Sequence, residues 1–279
     1  MEVIRAEAMG MCFGVRDALE VIEGIERPQD VTVLGELVHN PVVIGRLDGR
    51  GFGRVSETRR DEVGTSSVLI TAHGVSDVRK ARLEAEGKRL IDTTCPLVER
   101  VHRAARGLEA QGYFVLVVGR PGHVEVQGIV EDLSRVEVVE SADEVRCYGE
   151  KRLGIVCQTT TPERTVRAIR EAVSRLNPDA DEVRFVDTVC RPTKQRQRAM
   201  ERLLDQVQAV VVVGGRNSNN TRELVRLCSE RGLQAWHVEG PSDLEPEWFA
   251  GLERVGLTAG TSTLEETIDA VEDALTSIR

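Results

Sequence analysis

Three of the six cysteines in the sequence stand in motifs that join a predicted strand to a predicted helix. They are Cys12 in MCFG, Cys95 in DTTCP and Cys190 in DTVCRP. A thiolate in such a place is favoured by the N-terminus of the helix and is accessible to a ligand. We therefore treat these three thiols as candidates for metal or redox chemistry.

The motifs around Cys95 and Cys190 are near copies of each other. Residues 91–95 read IDTTC and residues 186–190 read VDTVC, and a proline follows each cysteine within two residues. Segments of similar length and similar strand–helix content separate the three candidate cysteines. This rhythm predicts three related α/β units, each of which presents one cysteine toward a common centre.

The other three cysteines have plainer explanations, because Cys157 lies in an apolar strand, Cys228 in a helix and Cys147 in a polar connection. A small buried side chain is the alternative to a ligand for any single cysteine. Zinc sites usually keep two ligands close in sequence, and the sequence has no Cys-x2-Cys pair. Iron–sulfur clusters accept cysteines from distant loops but commonly take four, so three would leave one iron open for chemistry.

Side chains that suit an anionic ligand stand at other predicted strand ends. His39, His73 and His123 lie beside Asn or Gly there. Ser218 and Ser262 lie just before helices, where free backbone N–H groups favour an anion. Each alone is equally explained by a structural histidine or an ordinary helix cap. Together they predict a donor-rich pocket for a phosphate or diphosphate. The other polar side chains of these motifs are Thr159, Asn219 and Asn220.

Glu125 stands two residues after His123, in the motif HVEV. A helix glutamate in such a place is either solvent-exposed or, beside a reactive centre, a proton donor. We carry proton donation forward as the functional hypothesis.

The elements that position these residues follow from the hydrophobic pattern. Short β-branched runs alternate with longer amphipathic stretches, which predicts a parallel-sheet α/β protein whose ligands bind beyond the carboxyl ends of the strands. The helix after residue 160 is predicted to begin with Thr161 as N-cap and Pro162 as first residue. The predicted strands include 67–74, 113–119, 152–160, 209–215 and 254–262.

Composition narrows the function classes. The net charge of −9 argues against a nucleic-acid-binding protein but allows a local basic pocket. The charged residues near the start of the chain are not typical of a signal peptide, and the apolar runs are too short to span a bilayer. We therefore expect a cytoplasmic protein with no membrane partner, in which structural disulfides are disfavoured.

Taken in order, the motifs resemble those of the 4-hydroxy-3-methylbut-2-enyl diphosphate reductases, the LytB/IspH family of the non-mevalonate (MEP/DOXP) isoprenoid pathway. The similarity covers nearly the whole chain, through GMCFGV, LVHNP, AHGV, DTTCPLV, GHVEV, QTT, DTVC with RQ, NSNNT, and EWF with RVGLTAGTS. The resemblance implies three pseudo-threefold-related α/β units with small parallel sheets around a central iron–sulfur cavity. The implied units are 13–95, 96–186 and 187–279, joined by the N-terminal segment 1–12.

The site residues implied by the resemblance match the candidates above. One [4Fe-4S] cluster with an open iron would have as its ligands Cys12, Cys95 and Cys190. Glu125 corresponds to the acid that supplies protons, His123 to a histidine near the substrate and Thr159 to a threonine near the substrate hydroxyl. The implied diphosphate-binding residues are His39, His73, Ser218, Asn219, Asn220 and Ser262.

The implied reaction removes the allylic hydroxyl of 4-hydroxy-3-methylbut-2-enyl diphosphate with two electrons and two protons, and gives isopentenyl or dimethylallyl diphosphate. The sequence shows no second cluster motif and no flavin or nicotinamide fingerprint. Electrons must therefore come from an external donor, for which the family uses ferredoxin or flavodoxin.

Four positions depart from the family pattern. Val124 and Leu264 stand where proline is usual, Asn219 stands where Ser or Gly is common, and the motif RPT follows Cys190 in place of a smaller first residue. None of these removes a cluster ligand or the proposed acid. They bear on rates and product ratio more than on the activity itself.

Two other functions compete with the reductase. A non-catalytic iron–sulfur sensor on the same fold is supported only by those departures, and it would not need Glu125, Thr159 or the anion-binding residues. A cysteine-nucleophile enzyme needs a Cys–His pair and would survive removal of iron. The sequence favours the reductase.

Overall fold

The computed structural model describes residues 1–38, 40–56 and 63–278. Within them the chain forms twelve β-strands and nine α-helices, and none of these helices has both the length and the apolar composition needed to cross a membrane. The strands are β1 (Glu2–Arg5), β2 (Val31–Leu34), β3 (Gly53–Val55), β4 (Ser67–Ile70), β5 (Arg89–Asp92), β6 (Phe114–Val118), β7 (Val136–Val139), β8 (Arg152–Cys157), β9 (Glu182–Phe185), β10 (Ala209–Val213), β11 (Gln234–Val238) and β12 (Arg254–Ala259). The helices are α1 (Phe13–Glu23), α2 (Pro41–Arg50), α3 (Asp77–Ala85), α4 (Pro96–Ala110), α5 (Val124–Val130), α6 (Glu163–Leu176), α7 (Arg191–Leu204), α8 (Asn219–Glu230) and α9 (Glu265–Ser277).

The strands form three four-stranded sheets, and every pairing between described strands is parallel. Sheet A has the order β1-β12-β10-β11, sheet B the order β3-β2-β4-β5 and sheet C the order β7-β6-β8-β9. All three sheets therefore share one strand order, because sheet A takes its fourth strand, β1, from the start of the chain. The predicted α/β class with three small parallel sheets is confirmed.

The chain divides into two compact units. Unit 1 comprises Met1–Arg16, Val38–Arg46 and Arg191–Arg279, and it contains sheet A. Unit 2 comprises Asp17–Leu37 and Leu47–Cys190, and it contains sheets B and C. The division into three domains that the sequence indicates stays a prediction.

In unit 1, strand β10 shows how the sheet is covered on both faces. All five of its residues, AVVVV, are buried. Val210 and Val212 pack with side chains of α7 and α8, whereas Val211 and Val213 pack with side chains of α9. Successive strand residues point to opposite faces, so a continuous apolar run buries both sides of a parallel sheet.

Strand β6 has the same role in unit 2. Val115 and Val117 pack with side chains of α4 and α5, and Leu116 and Val118 pack with side chains of α6. The helices that follow these strands are thereby held against sheet C. Their N-termini lie next to the carboxyl ends of the strands, where the candidate residues stand.

The start of α6 differs from the prediction. The helix begins at Glu163 with Pro162 as its N-cap, one residue later than expected. The hydroxyl of Thr161 instead donates to the backbone carbonyl of Val118 at 3.0 Å. That carbonyl is at the end of β6. The Thr161 side chain therefore forms a tertiary hydrogen bond with the sheet and does not cap the helix.

Candidate active site

Each candidate cysteine follows an edge strand of one sheet and directly precedes a helix. Cys12 lies between β1 and α1, Cys95 between β5 and α4, and Cys190 between β9 and α7. All three side chains are partly exposed. The structure thus places these residues at the strand-to-helix junctions that the sequence predicts.

The other three cysteines lie in different surroundings. Cys157 and Cys228 are buried in the cores, and Cys147 is exposed in a connection. Burial raises the pKa of the Cys228 thiol to about 12, so this thiol stays protonated and is a poor metal ligand. None of the six cysteines forms a disulfide.

The three cysteine loops are hydrogen-bonded to their sheets in the same way. The backbone amide of each cysteine donates to a carbonyl two residues beyond the end of the neighbouring strand, which is β12, β4 or β8. The three amide-to-carbonyl pairs are Cys12 to Thr261 at 3.0 Å, Cys95 to Ala72 at 3.1 Å and Cys190 to Thr159 at 2.9 Å. One local arrangement is therefore built three times, once in each sheet.

The repeated Asp-Thr motif has a structural cause. The hydroxyl of Thr93 donates to the carbonyl of Ile70, the last residue of β4, at 2.6 Å. The hydroxyl of Thr188 donates to the carbonyl of Cys157, the last residue of β8, and accepts from its amide, both at 2.7 Å. Each threonine thus ties the start of a cysteine loop to the adjacent strand. Sequence reasoning saw the repeat but did not assign this role to its threonines.

The described residues contain no ready site for a single metal ion. Among residues 1–38, 40–56 and 63–278, no group of three or more His, Cys, Asp and Glu side chains could hold one. Helices α1 and α7 carry no acidic side chain in their first turn, which favours the negative charge of a thiolate at their N-termini.

The shared strand order gives each sheet a switch point, the kind of position where parallel α/β proteins commonly bind ligands. In each sheet the chain first runs to one side and then crosses to the other, so the loops after β2 and β4, β6 and β8, and β10 and β12 flank a topological switch point. The predicted polar residues belong to these loops or to the helix starts that follow them, except His39, which lies outside the described residues. Those residues are His73 after β4, His123 and Glu125 after β6, Thr159 after β8, Ser218, Asn219 and Asn220 after β10, and Ser262 after β12.

Glu125 is a buried carboxyl in the first turn of α5, with 2% of its surface exposed. The amide of Thr159 donates to its Oε1 at 2.7 Å, and the hydroxyl of Thr159 donates to its Oε2 at 2.9 Å. Burial raises the pKa of Glu125 to about 7, although both hydrogen bonds from Thr159 act in the opposite direction. Near neutral pH this carboxyl can therefore hold a proton and release it.

His123 caps the same helix. Its Nδ1 accepts a hydrogen bond from the amide of Glu125 at 3.1 Å, so in the neutral ring the proton is on Nε2. The rings of His73 and His123 meet edge to face, with centroids 5.7 Å apart. The structure thus brings together four predicted residues of unit 2: His73, His123, Glu125 and Thr159.

Val124, one of the departures from the family pattern, is the first residue of α5. The amide of this position needs no partner within the helix, which is why proline is common there. A valine therefore keeps the helix start unchanged, and the contact between Glu125 and Thr159 does not depend on a proline.

In unit 1, Ser218 is the N-cap of α8 and accepts from the amide of Thr221 at 3.3 Å. Asn219 and Asn220 lie in the first turn of α8, and this turn has no acidic side chain. Asn220 is 2% exposed, and neither atom of its side-chain amide has a hydrogen-bond partner within the described part of the chain. Buried polar groups are normally paired, so this unpaired amide is a candidate contact for a ligand.

Ser262 lies in the loop after β12, two residues before Leu264, which is the N-cap of α9. The side-chain amide of Asn40 donates to the carbonyl of Ser262 at 2.7 Å, while its oxygen accepts from the amide of Val42 at 2.9 Å at the start of α2. Asn40 therefore fixes this loop, a role that sequence reasoning missed. The Asn-Pro pair at 40–41 was the available signal, since it is typical of a helix start.

The unpaired amide of Asn220 gives a stability prediction. Replacing Asn220 by leucine is expected to raise the free energy of unfolding by about 1 kcal/mol, because two unsatisfied buried atoms are removed. The same change is expected to weaken the binding of inorganic diphosphate. Urea unfolding and calorimetric titration measure the two effects.

The matched control is Asn177→Leu. Asn177 is also buried, but its amide donates to the carbonyls of Arg146 and Val173 and accepts from the amide of Tyr148. This variant is expected to be less stable by about 1–3 kcal/mol. Equal destabilisation by the two leucines would contradict the assignment of Asn220 to a ligand.

The remaining two histidines have structural positions. His102 is buried in α4, with its Nδ1 3.7 Å from the carboxylate of Asp132. Burial lowers the pKa of His102, although Asp132 acts in the opposite direction. The Nε2 of His237 in β11 lies 2.8 Å from the carbonyl of Gly214.

Comparison with known proteins is consistent with this geometry. The family model described as LytB protein matches residues 3–276. A 4-hydroxy-3-methylbut-2-enyl diphosphate reductase from Aquifex aeolicus is 34% identical over 100% of this chain and 97% of its own length. The protein of the same name from Geobacter sulfurreducens is 36% identical over 97% of this chain and 95% of its own length.

Two solved structures are also similar. One, described as (E)-4-hydroxy-3-methyl-but-2-enyl diphosphate reductase, the terminal enzyme of the non-mevalonate pathway, is 34% identical, with a TM-score of 0.69 over 100% of both chains. The E-1-hydroxy-2-methyl-but-2-enyl-4-diphosphate reductase from Plasmodium falciparum is 24% identical, with a TM-score of 0.89 over 99% of this chain and 88% of its own, and it supports the fold alone. Because the family model and the relatives match almost the whole chain, the protein belongs to the LytB family.

Proposed function

We propose that the chain reduces 4-hydroxy-3-methylbut-2-enyl diphosphate to isopentenyl and dimethylallyl diphosphate, the last step of the non-mevalonate isoprenoid pathway. The observation that carries the proposal is the threefold repetition of one cysteine loop, at Cys12, Cys95 and Cys190. The relatives that match the full length of the chain carry the name of this reductase, which supports the choice of substrate.

We propose that these cysteines hold one [4Fe-4S] cluster and leave one iron without a protein ligand. Thiolates from distant loops are the usual ligands of such clusters, and the three thiols stand in equivalent, partly exposed positions. When bound, the cluster would pass electrons from the external donor to the substrate and would provide an open coordination position. The iron–sulfur character of the family supports this assignment.

The diphosphate is assigned to donors at the start of α8 and in the loop after β12. Ser218, Asn220 and Ser262 are buried, and the N-terminus of α8, whose first turn has no acidic side chain, favours an anion. Asn219 lies between Ser218 and Asn220 in the sequence. His73, and His39 by its resemblance to the family, complete the proposed set. These groups bind and orient the anionic end of the substrate.

The protons are assigned to Glu125 and Thr159. In the structure the hydroxyl of Thr159 donates to Oε2 of Glu125. When Oε2 is protonated it would donate to Oγ1 of Thr159 instead, which would free the Thr159 hydroxyl proton for the substrate hydroxyl. His123 holds the N-terminal turn of α5 in place through its Nδ1. Glu125 is buried, so water does not compete for this proton.

The reaction balances with two electrons and two protons. The carbon–oxygen bond breaks, one proton leaves with the hydroxyl as water, and the second is added to either end of the allyl fragment. We propose that the electrons come from ferredoxin or flavodoxin and that the reaction takes place in the cytoplasm, as the sequence predicts.

The test is anaerobic turnover of the reconstituted protein. The chain is loaded with iron and sulfide, supplied with 4-hydroxy-3-methylbut-2-enyl diphosphate and reduced methyl viologen, and the products are identified by mass spectrometry. We expect isopentenyl and dimethylallyl diphosphate in the loaded sample only. The alcohol without its diphosphate is the control substrate, and it is expected to react poorly because the anion-binding donors cannot hold it.

Two results would overturn the proposal. Cluster-loaded protein that binds the substrate without product formation would identify a sensor. Product formation that survives removal of iron would identify a thiol-based enzyme.

A further inference from the structure

Arg196 is a buried arginine in α7, with 6% of its surface exposed. Its guanidinium is directed at the segment before Cys12. Nε and Nη2 donate to the carbonyl of Gly10 at 3.1 and 2.6 Å, and Nη2 also lies 3.4 Å from the carbonyl of Met9. Nη1 donates to the carbonyl of Pro192 in its own helix at 3.1 Å. One side chain thus joins α7 to the backbone two residues before Cys12.

The opposite side of the same segment is bonded to sheet A. The amide of Gly10 donates to the carbonyl of Ala259 at 3.2 Å, and the amide of Cys12 donates to Thr261 at 3.0 Å. Gly10 also has a positive φ of 72°, and a Cβ there would meet Ile268 at 2.8 Å. The peptide at Gly10 is therefore held in one conformation from both sides.

The sheets differ in how the residue two places before the cysteine is fixed. In sheets B and C a threonine, Thr93 or Thr188, ties that position to the neighbouring strand. In sheet A the corresponding residue is Gly10, which has no side chain to form this bond. The guanidinium of Arg196 instead donates a hydrogen bond to the carbonyl of Gly10. A tether is present in all three loops, but in sheet A a distant residue supplies it.

We propose that Arg196 is a positioning residue that fixes the Cys12 loop in the conformation required of a cluster ligand. The proposal rests on the role of Cys12 in the proposed function. A guanidinium suits this role because its rigid fork reaches two carbonyls at once and stays charged when buried. A lysine in the same place keeps the charge but donates with less geometric control.

The test compares three full-length variants with the parent chain. Arg196→Met removes the fork, and Arg196→Lys is the conservative variant. Arg202→Met is the matched control, since Arg202 lies on the same helix and pairs with Glu7 at the exposed surface at 2.5 Å. Two rates are measured: loss of the reconstituted cluster to a chelator, and alkylation of Cys12 by iodoacetamide in the cluster-free chain, resolved by peptide mass spectrometry.

We expect Arg196→Met to speed cluster loss by roughly 10-fold, the lower end of what loss of an outer-shell contact costs. Alkylation of Cys12 should rise as well, while Cys228, buried in the same unit, stays protected. Arg196→Lys should recover part of both effects, and Arg202→Met should match the parent chain.

The proposal is overturned if Arg196→Met leaves both rates unchanged. It is also overturned if Cys228 becomes alkylated together with Cys12, because that result would show a general loss of stability. Failure of the proposed function gives a different result. If Cys12 is not a cluster ligand, the Cys12→Ser variant keeps its iron. The effect of Arg196→Met on the alkylation of Cys12 can be measured in either case.

Discussion

Replacing Glu125 by glutamine is expected to lower kcat by roughly 10²–10⁴-fold, the range typical of a lost general acid. Glutamine keeps an oxygen for the amide of Thr159 and an NH2 group that can reach the Thr159 hydroxyl, so the contact seen at 2.7 and 2.9 Å survives. The proton is lost but the packing is not. Cluster content and KM should therefore stay near those of the parent chain.

The control for this experiment is Glu131→Gln. Glu131 follows α5, accepts from the hydroxyl of Ser76 at 2.7 Å and lies 3.3 Å from Arg79, far less buried than Glu125. It is expected to retain turnover within a few-fold of the parent chain. An equal loss in both variants would point to disruption of α5 and against proton donation by Glu125.

The raised pKa of Glu125 also predicts a pH dependence. Turnover that needs the protonated form should fall as the pH rises through about 7, and this limb should be absent in Glu125→Gln. Stability changes in the same direction, because a folded-state pKa above the unfolded value of 4.5 favours the folded state at low pH. That contribution is complete below pH 4.5 and is lost as the pH rises to about 7, a difference of about 3 kcal/mol at about 1.4 kcal/mol per pKa unit. Urea unfolding of the parent chain and of Glu125→Gln between pH 4.5 and about 7 measures this contribution of Glu125 to the free energy of unfolding.

The second large effect is expected from the cysteines. Cys12→Ser, Cys95→Ser and Cys190→Ser should each lose most of the bound iron and the visible absorption of the cluster. Turnover should fall by more than the roughly 10–100-fold typical of a lost outer-shell contact, because a ligand itself is removed. Iron and sulfide analysis, together with the anaerobic spectrum, measures the change.

Cys147→Ser and Cys228→Ala serve as controls. Cys147 is exposed in a connection, and Cys228 is buried in the core of unit 1, so neither is expected to change iron content. Retention of the full spectrum by any of the three ligand variants would remove that cysteine from the proposed set.

The sequence was sufficient to predict the class of fold and the junctions where the cysteines lie. Both follow from local pattern: β-branched runs such as AVVVV form buried strands, and a helix starts after each of Cys12, Cys95 and Cys190. The predicted strands run past the carboxyl ends of the observed ones, and the cap of α6 also differs from the prediction. Thr161 was expected to cap that helix, but it bonds to Val118, a residue far away in the chain.

The residues that sequence reasoning missed share a physical cause. Asn40 acts through Ser262, and Arg196 acts through Gly10, each pair separated by well over a hundred residues in the chain. The Asn-Pro pair at 40–41 indicates a helix start, and an arginine in an amphipathic helix is ordinary, so neither pattern indicates a bond to a distant carbonyl. Only the folded structure shows which distant carbonyl each one reaches.

Strand β1 is made first but pairs with β12, near the end of the chain, in register from Glu2 with Arg254 to Arg5 with Leu257. On the ribosome, the N-terminal strand must therefore wait until some 250 further residues have been translated, on the order of ten to fifty seconds at about 5–20 residues per second. The loop that carries Cys12 takes its hydrogen bonds from the same late segment, at Ala259 and Thr261. Sheets B and C are complete earlier in synthesis. The hydrogen bonds that hold the Cys12 loop can therefore form only after β12 and the residues that follow it have been translated.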